Sequence, residues 1–202
     1  MILIGRNLSP FVRRTAASLN LLDLPYTQRP LSTADNAETI RGFNPLGRVP
    51  ALVMEDGEVL VDSVAILDAL DEMAGADRAL VPRMGAERRA VLRALALAVG
   101  ATEKLVGAYY ESRRPEALVW PDYATKLRGQ AEAGFAALDR LAEPGEWLCG
   151  ERLSQADVTA TCGLDFADLV LPDLVAGRFP ALSALRDRAN AIAAIASTRW
   201  TK

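Results

Sequence analysis

Two serines of this chain stand where a helix begins. Ser9 precedes Pro10 and an amphipathic run, the order of an N-cap followed by a first helical residue. Asp62-Ser63 stands in the same relation to Ile66, Leu67, Leu70 and Met73. A helix start carries unpaired amides and the positive end of a dipole, so both places favour an anion, and a hydroxyl there can donate as well as accept. Between them, Asn44-Pro45-Leu46-Gly47-Arg48-Val49-Pro50 is built almost wholly of turn formers and holds one cation, Arg48.

Other chemistries are removed by what the sequence lacks. It has no histidine, which excludes His-based triads, His-ligated metals and imidazole acid–base catalysis. Its two cysteines, Cys149 and Cys162, have the spacing of neither a redox pair nor a metal cluster. Cys162 falls on the apolar face of an expected helix and Cys149 in a loop, and neither reads as a catalytic thiol. With a net charge of -3 and basic residues scattered among acidic ones, the electrostatic footprint of a nucleic-acid binder is missing. No apolar run reaches bilayer length, and Met-Ile-Leu-Ile-Gly at the N-terminus lacks the basic region of a signal peptide. The expectation is a soluble, cytoplasmic protein without a metal, a membrane or a nucleic-acid partner.

The elements that must position these residues read β-α-β-α-β-β-α. After a strand at Ile2 to Ile4, Phe11, Val12, Thr15, Ala16 and Leu19 recur at helical spacing, leaving Arg13, Arg14 and Ser18 for a more polar face until Asp23-Leu24-Pro25 breaks the pattern. A strand around Tyr26 to Arg29 and a brief helix from Ala34 to about Arg41 follow. Ala51 to Met54 and Val59 to Val61 flank Asp56-Gly57, the signature of a tight hairpin. A tight turn joins antiparallel strands while helical crossovers permit parallel ones, so the sheet is mixed and four-stranded. This gives a first domain over 1–75, a linker over 76–84, and an all-helical domain over 85–202.

In that second domain a helix of about 45 Å over 85–114 carries Val91, Leu92, Leu95, Val99, Leu105 and Tyr109. Another follows Pro121, with Leu127, Ala131, Phe135, Leu138 and Leu141 in a stripe that closes before Pro144. Ser154 and Asp157 form a capping box, with Leu153 and Val158 as its hydrophobic staple, at the head of a helix buried through Cys162, Phe166, Leu169 and Val170. Asp157 is therefore read as structural, not catalytic.

In order and spacing, Ser9-Pro10-Phe11-Val12-Arg13-Arg14, Asn44 to Pro50, Asp62-Ser63-Val64-Ala65-Ile66-Leu67, the Ser154 cap and Phe179-Pro180 resemble the glutathione transferase family over nearly the whole chain. The resemblance implies a thioredoxin-like N-terminal domain, an all-helical C-terminal domain and a homodimer. It implies glutathione as co-substrate: Val49, before a cis Pro50, would pair strand-fashion with its cysteinyl part. Ser63 would bind the γ-glutamyl carboxylate, Asp62 the ammonium group and Arg48 the glycine carboxylate. Ser9 would donate to the glutathione sulfur and favour the thiolate, with Asn7 as a second polar contact. Family members that work by mixed disulfide place Cys where Ser9 stands, so conjugation to an electrophile, or peroxide reduction by bound glutathione, is the chemistry implied.

Leu8, Phe11, Tyr109, Tyr110, Arg113 and Trp120 are candidates for the wall of the electrophile pocket. Tyr109 and Tyr110 point about 100° apart on one helix, so one at most faces a ligand directly. The alternative reading is a non-catalytic binding or protein-interaction module on the same scaffold.

Overall fold

The computed structural model describes residues 1–143 and 145–200. Its strands are β1 (Ile2–Ile4), β2 (Thr27–Arg29), β3 (Ala51–Val53) and β4 (Val59–Val61). Its helices are α1 (Pro10–Leu21), α2 (Ala37–Arg41), α3 (Ser63–Ala74), α4 (Gly85–Ser112), α5 (Pro121–Ala142), α6 (Gln155–Val170), α7 (Pro172–Val175), α8 (Pro180–Asn190) and α9 (Ala193–Ala196), with a 3-10 turn at Glu116–Leu118. The chain divides into a unit made of Met1–Arg83 with the segment from Asn190, and a unit of Met84–Ala189.

In the first unit the sheet order is β2-β1-β3-β4, with β1 parallel to β2 and the other pairs antiparallel. The sheet is mixed because a helical crossover joins β1 to β2 while a hairpin joins β3 to β4. Gly57 takes φ 91 in that hairpin, its turn closed by the Met54 amide donating to the Glu58 carbonyl at 2.8 Å. Leu3 and Leu52 of the sheet meet Val12, Ala16 and Leu19 of α1 and Ile66 and Leu70 of α3 in one apolar core.

The polar face expected on α1 does not exist. Arg13, Arg14 and Ser18 are 4%, 1% and 0% exposed. Each is buried with a partner, as buried polar groups must be: Arg13 Nη2 donates to Asn190 Oδ1 at 2.9 Å, Arg14 reaches Ser63, and Ser18 Oγ donates to the Arg14 carbonyl at 2.9 Å. The end of the chain completes the burial, since α9 packs on α1 and Asn20 Nδ2 donates to the Ala194 carbonyl at 3.0 Å. The segment from Asn190 therefore groups with the first unit, not with the helical unit to which its sequence position points.

The second unit is helical, and α4 packs along α5 and α6. The stripe expected on α4 is displaced: Val91, Ala94, Ala98, Ala101, Thr102, Leu105 and Ala108 are buried, whereas Leu92 is 39% exposed and Leu95 and Val99 are only half-buried. Close approach selects the small residues. A Cβ on Gly134 would lie 2.7 Å from the Ala101 Cβ, and one on Gly163 2.3 Å from Thr102 Oγ1, so α5 and α6 meet α4 almost backbone to side chain. The α5 stripe is buried at Leu127, Ala131, Phe135 and Leu138, ending at Ala142 rather than Leu141; the stop expected at Pro144 lies outside the described residues.

The capping box of α6 forms. The Asp157 carboxylate accepts from the Ser154 amide at 2.8 Å, the Ser154 hydroxyl at 2.7 Å and the Leu148 amide at 2.8 Å, tying the preceding loop to the helix start. Burial pushes the Asp157 carboxyl above its ordinary value, against the hydrogen bonds that favour its charged form. Most of α6 is buried, but Leu169, placed on its apolar face by the sequence pattern, is 42% exposed. No helix among the described residues is long and apolar enough to cross a membrane.

Candidate functional site

Strand register brings three distant segments to one edge of the sheet. Ile4 pairs with Ala51, and Ala51 with Val61, so Gly5, Pro50 and Asp62 leave the sheet side by side. Gly5 makes the approach close. It takes φ 125, and a Cβ there would lie 2.5 Å from Val12 Cγ2 and 3.0 Å from the Val49 Cβ, so only glycine lets the start of α1 and the Pro50 loop meet.

Ser9 caps α1. Its extended backbone (φ -69, ψ 123) lets Oγ accept from the Val12 amide at 3.4 Å, and its own amide donates to the Arg6 carbonyl at 3.0 Å. Pro10 has no N–H and the Val12 amide is engaged, which leaves the Phe11 amide without a partner among the described residues. The half-buried Ser9 hydroxyl, its proton not used by the cap, and the Phe11 N–H are thus two donors at the positive end of a helix. Asn7 is oriented from β2: Gln28 Nε2 donates to its Oδ1 at 2.7 Å and to the Gly5 carbonyl at 2.8 Å.

The Val49–Pro50 peptide bond is cis. Asn44, 3% exposed, shapes the loop before it, accepting from the Leu46 amide at 3.0 Å and donating to the Arg48 carbonyl at 3.0 Å. Among the described residues no group pairs with the amide or carbonyl of Val49, which is half-buried beside Gly5. An unpaired main chain there is a short edge on which an extended peptide can pair. The Arg48 side chain is exposed.

The third segment holds its cap on Asp62, not on Ser63. Asp62 adopts φ 71, and its Oδ1 accepts from the Val64 amide at 2.8 Å. Ser63 is the first residue of α3, 3% exposed, and its Oγ accepts from Arg14 Nη2 at 2.7 Å and Arg14 Nε at 3.1 Å. Sequence reasoning passed over Arg14, Asn44, Gly5 and Gln28. The available signals were a charged residue one turn into an apolar helix and an Asn opening a turn-rich loop.

Leu8 and Phe11 are half-buried in the first unit. In the second unit Tyr109 packs edge-on against Phe166, ring centres 5.9 Å apart, while Tyr110 is 59% exposed. Trp120 is 63% exposed and stacks on Tyr123 with centres 5.7 Å apart. Its amide donates at 2.9 Å to the buried Glu111 carboxylate, which fixes the turn between α4 and α5, and Arg113 is exposed. Cys162 is buried, and burial with the nearby Asp157 charge pushes the Cys149 thiol up, making it a poor thiolate.

A four-stranded thioredoxin-like unit, with a helix-capping serine, a cis-proline loop and a second capped helix at one edge of its sheet and an all-helical unit after it, has the architecture of glutathione transferases. Residues 3–78 match the family model for the glutathione S-transferase N-terminal domain and residues 86–194 that for the C-terminal domain; the chain belongs to this family. It is 30% identical over 174 residues to the uncharacterized GST-like protein YibF of Escherichia coli, covering 82% of this chain and 81% of that one. Among solved structures, a glutathione S-transferase of Methylobacterium radiotolerans in complex with glutathione sulfonate aligns with TM-score 0.92 and 26% identity, covering 100% of this chain and 96% of the other. One from Methylobacillus flagellatus with glutathione bound aligns with TM-score 0.91 and 28% identity, covering 99% of each chain.

Proposed function

We propose that this protein is a glutathione transferase that joins the thiolate of bound glutathione to small electrophiles. The observation that carries the reading is the meeting of two donors at the start of α1 with the unpaired main chain of Val49, across Gly5. Paired with Val49, an extended tripeptide presents its cysteine side chain to the Ser9 hydroxyl and the Phe11 amide. Free thiols ionise near pH 8.5, and a helix start lowers that value, so the thiol gives its proton to solvent without a histidine base. The thiolate then attacks an electrophilic carbon: a C–S bond forms, and a halide leaves or an epoxide C–O bond opens. With an organic peroxide as acceptor, the same sulfur attacks oxygen, the O–O bond breaks and an alcohol leaves. The proton given to solvent returns to the departing alkoxide, leaving a sulfenic acid, with which a second glutathione thiol condenses to the disulfide and water.

Elsewhere in the proposed complex, Ser63 holds the γ-glutamyl carboxylate, Asp62 the ammonium group and Arg48 the glycine carboxylate, with Asn7 as a further donor toward the sulfur. Leu8 and Phe11, next to Ser9 in the first unit, are the residues proposed to meet the electrophile; of the second unit's candidates Tyr109, Tyr110, Arg113 and Trp120, Tyr110 and Trp120 carry large exposed aromatic surfaces. The proposal includes a homodimer, which light scattering at micromolar concentration checks. The activity is tested by calorimetric titration with glutathione, followed by turnover of aryl halides, epoxides and hydroperoxides. Binding with turnover supports the enzyme; binding without turnover of any of them makes the protein a glutathione carrier; no binding removes both readings.

A further inference from the structure

The segment from Asn190 runs along α1 and comes back. Asn190 accepts from Arg13 in the first half of the helix, Ala194 accepts from Asn20 in its last turn, and Trp200 then meets Arg6, ahead of the helix. The Arg6 guanidinium carbon lies 5.7 Å from the centre of the Trp200 ring. Arg6 also opens the turn that Ser9 closes, its carbonyl accepting from the Ser9 amide at 3.0 Å. Arg6, Ser9 and Trp200 belong to the same unit, so a cation stands within a side chain's reach of the two donors at the start of α1.

The ring contact orders the Arg6 side chain without using its five N–H donors: among the described residues no carboxylate or carbonyl accepts from them. A guanidinium presents those donors in a planar fork that matches a carboxylate. Trp200 is 38% exposed, so part of its indole is open to a ligand. A held cation with free donors, beside an open aromatic surface, fits a small planar carboxylate.

We propose that Arg6 and Trp200 form an anion subsite beside Ser9 that selects electrophiles carrying a carboxylate. The assignment rests on the transferase reading above and adds to it the class of electrophile. With an aryl halide of this class, the thiolate adds to the carbon bearing the halogen, a C–S bond forms and halide leaves. Arg6 holds the carboxylate meanwhile and Trp200 lies against the ring; neither takes part in the bond changes.

The test compares para-chloro-meta-nitrobenzoate with its neutral isostere para-chloro-meta-nitrobenzamide, both of which lose chloride to glutathione, by kcat/KM on the full chain at saturating glutathione. Relative to the uncatalysed rates, the unaltered protein is expected to favour the benzoate. Arg6→Gln is expected to lower kcat/KM for the benzoate about tenfold more than for the benzamide, chiefly through KM. Arg6→Lys keeps the charge and loses the fork; it is expected to retain part of the preference, and it serves if Arg6→Gln does not fold. Trp200→Phe is expected to retain the preference and Trp200→Ala to lose most of it. Equal losses for the two substrates, a preference of the unaltered protein for the benzamide, or a matching loss of glutathione affinity in Arg6→Gln would overturn the subsite while leaving the transferase reading intact. So would turnover of epoxides or hydroperoxides with neither aryl chloride accepted. Failure to bind glutathione, or to turn over any electrophile, would overturn that reading and this inference together.

Discussion

One oxygen of Ser9 has two capacities: its lone pair takes the Val12 amide, and its proton, unused by the cap, is the one proposed to meet the ligand's sulfur. The roles separate on mutation. Ser9→Ala is expected to leave the glutathione dissociation constant nearly unchanged and to lower kcat by up to about 10²–10³-fold, by analogy with loss of one oxyanion donor; an equal rise in KM with unchanged kcat would assign Ser9 to binding alone. Ser63→Ala is expected to act the other way, weakening glutathione with little effect on kcat at saturation, as steady-state kinetics over a wide glutathione range will show. Helix-start signals made Ser9 and Asp62 legible in the sequence, because a cap is a local device. Arg14 was not legible: its partner is 49 residues away in the chain, and a charged residue on an amphipathic helix reads as solvated until that partner is known.

At the scale of elements, the strands and most helix limits follow from periodicity and turn chemistry, and the hairpin at Asp56-Gly57 is where the pattern says it is. The face of α4 does not follow, since large apolar residues mark a helix stripe only when its neighbours stand off. Gly134 and Gly163 bring those neighbours in, and alanines take the buried positions. Asp157 belongs to this scale as well. Asp157→Ala is expected to destabilise by about 0.5–2 kcal/mol, the range for a lost cap, measured by urea denaturation.

The pH dependence of the Asp157 cap carries a sign. Burial raises its folded-state pKa above the unfolded value, so between the two the native state holds more protons and stability contributed by this group falls as pH rises through that window. The difference in unfolding free energy between the parent protein and Asp157→Asn is therefore expected to move against the parent as pH is raised through and above the ordinary carboxylate range. A shift in the parent's favour over that range would show that the three hydrogen bonds outweigh burial.

For the whole molecule, two chain segments far apart in sequence make one unit: α9 and Asn190 cover α1, the helix that carries both Ser9 and Arg14. No composition shift announces that return, since a short alanine-rich segment carries no address. Deleting residues 190–202 is expected to speed amide hydrogen exchange in α1 and to lower the melting temperature; unchanged protection of α1 would show that the return has no part in holding it. The central claim is that the glutathione sulfur sits at the start of α1, as proposed above, and the most direct measurement is the ultraviolet absorbance of the glutathione thiolate, titrated with pH on the protein and on Ser9→Ala. The expected result is a bound thiol that ionises below free glutathione on the unaltered protein and shifts back toward it in the variant. Superimposable curves for the two proteins, with glutathione bound to both, would contradict the account.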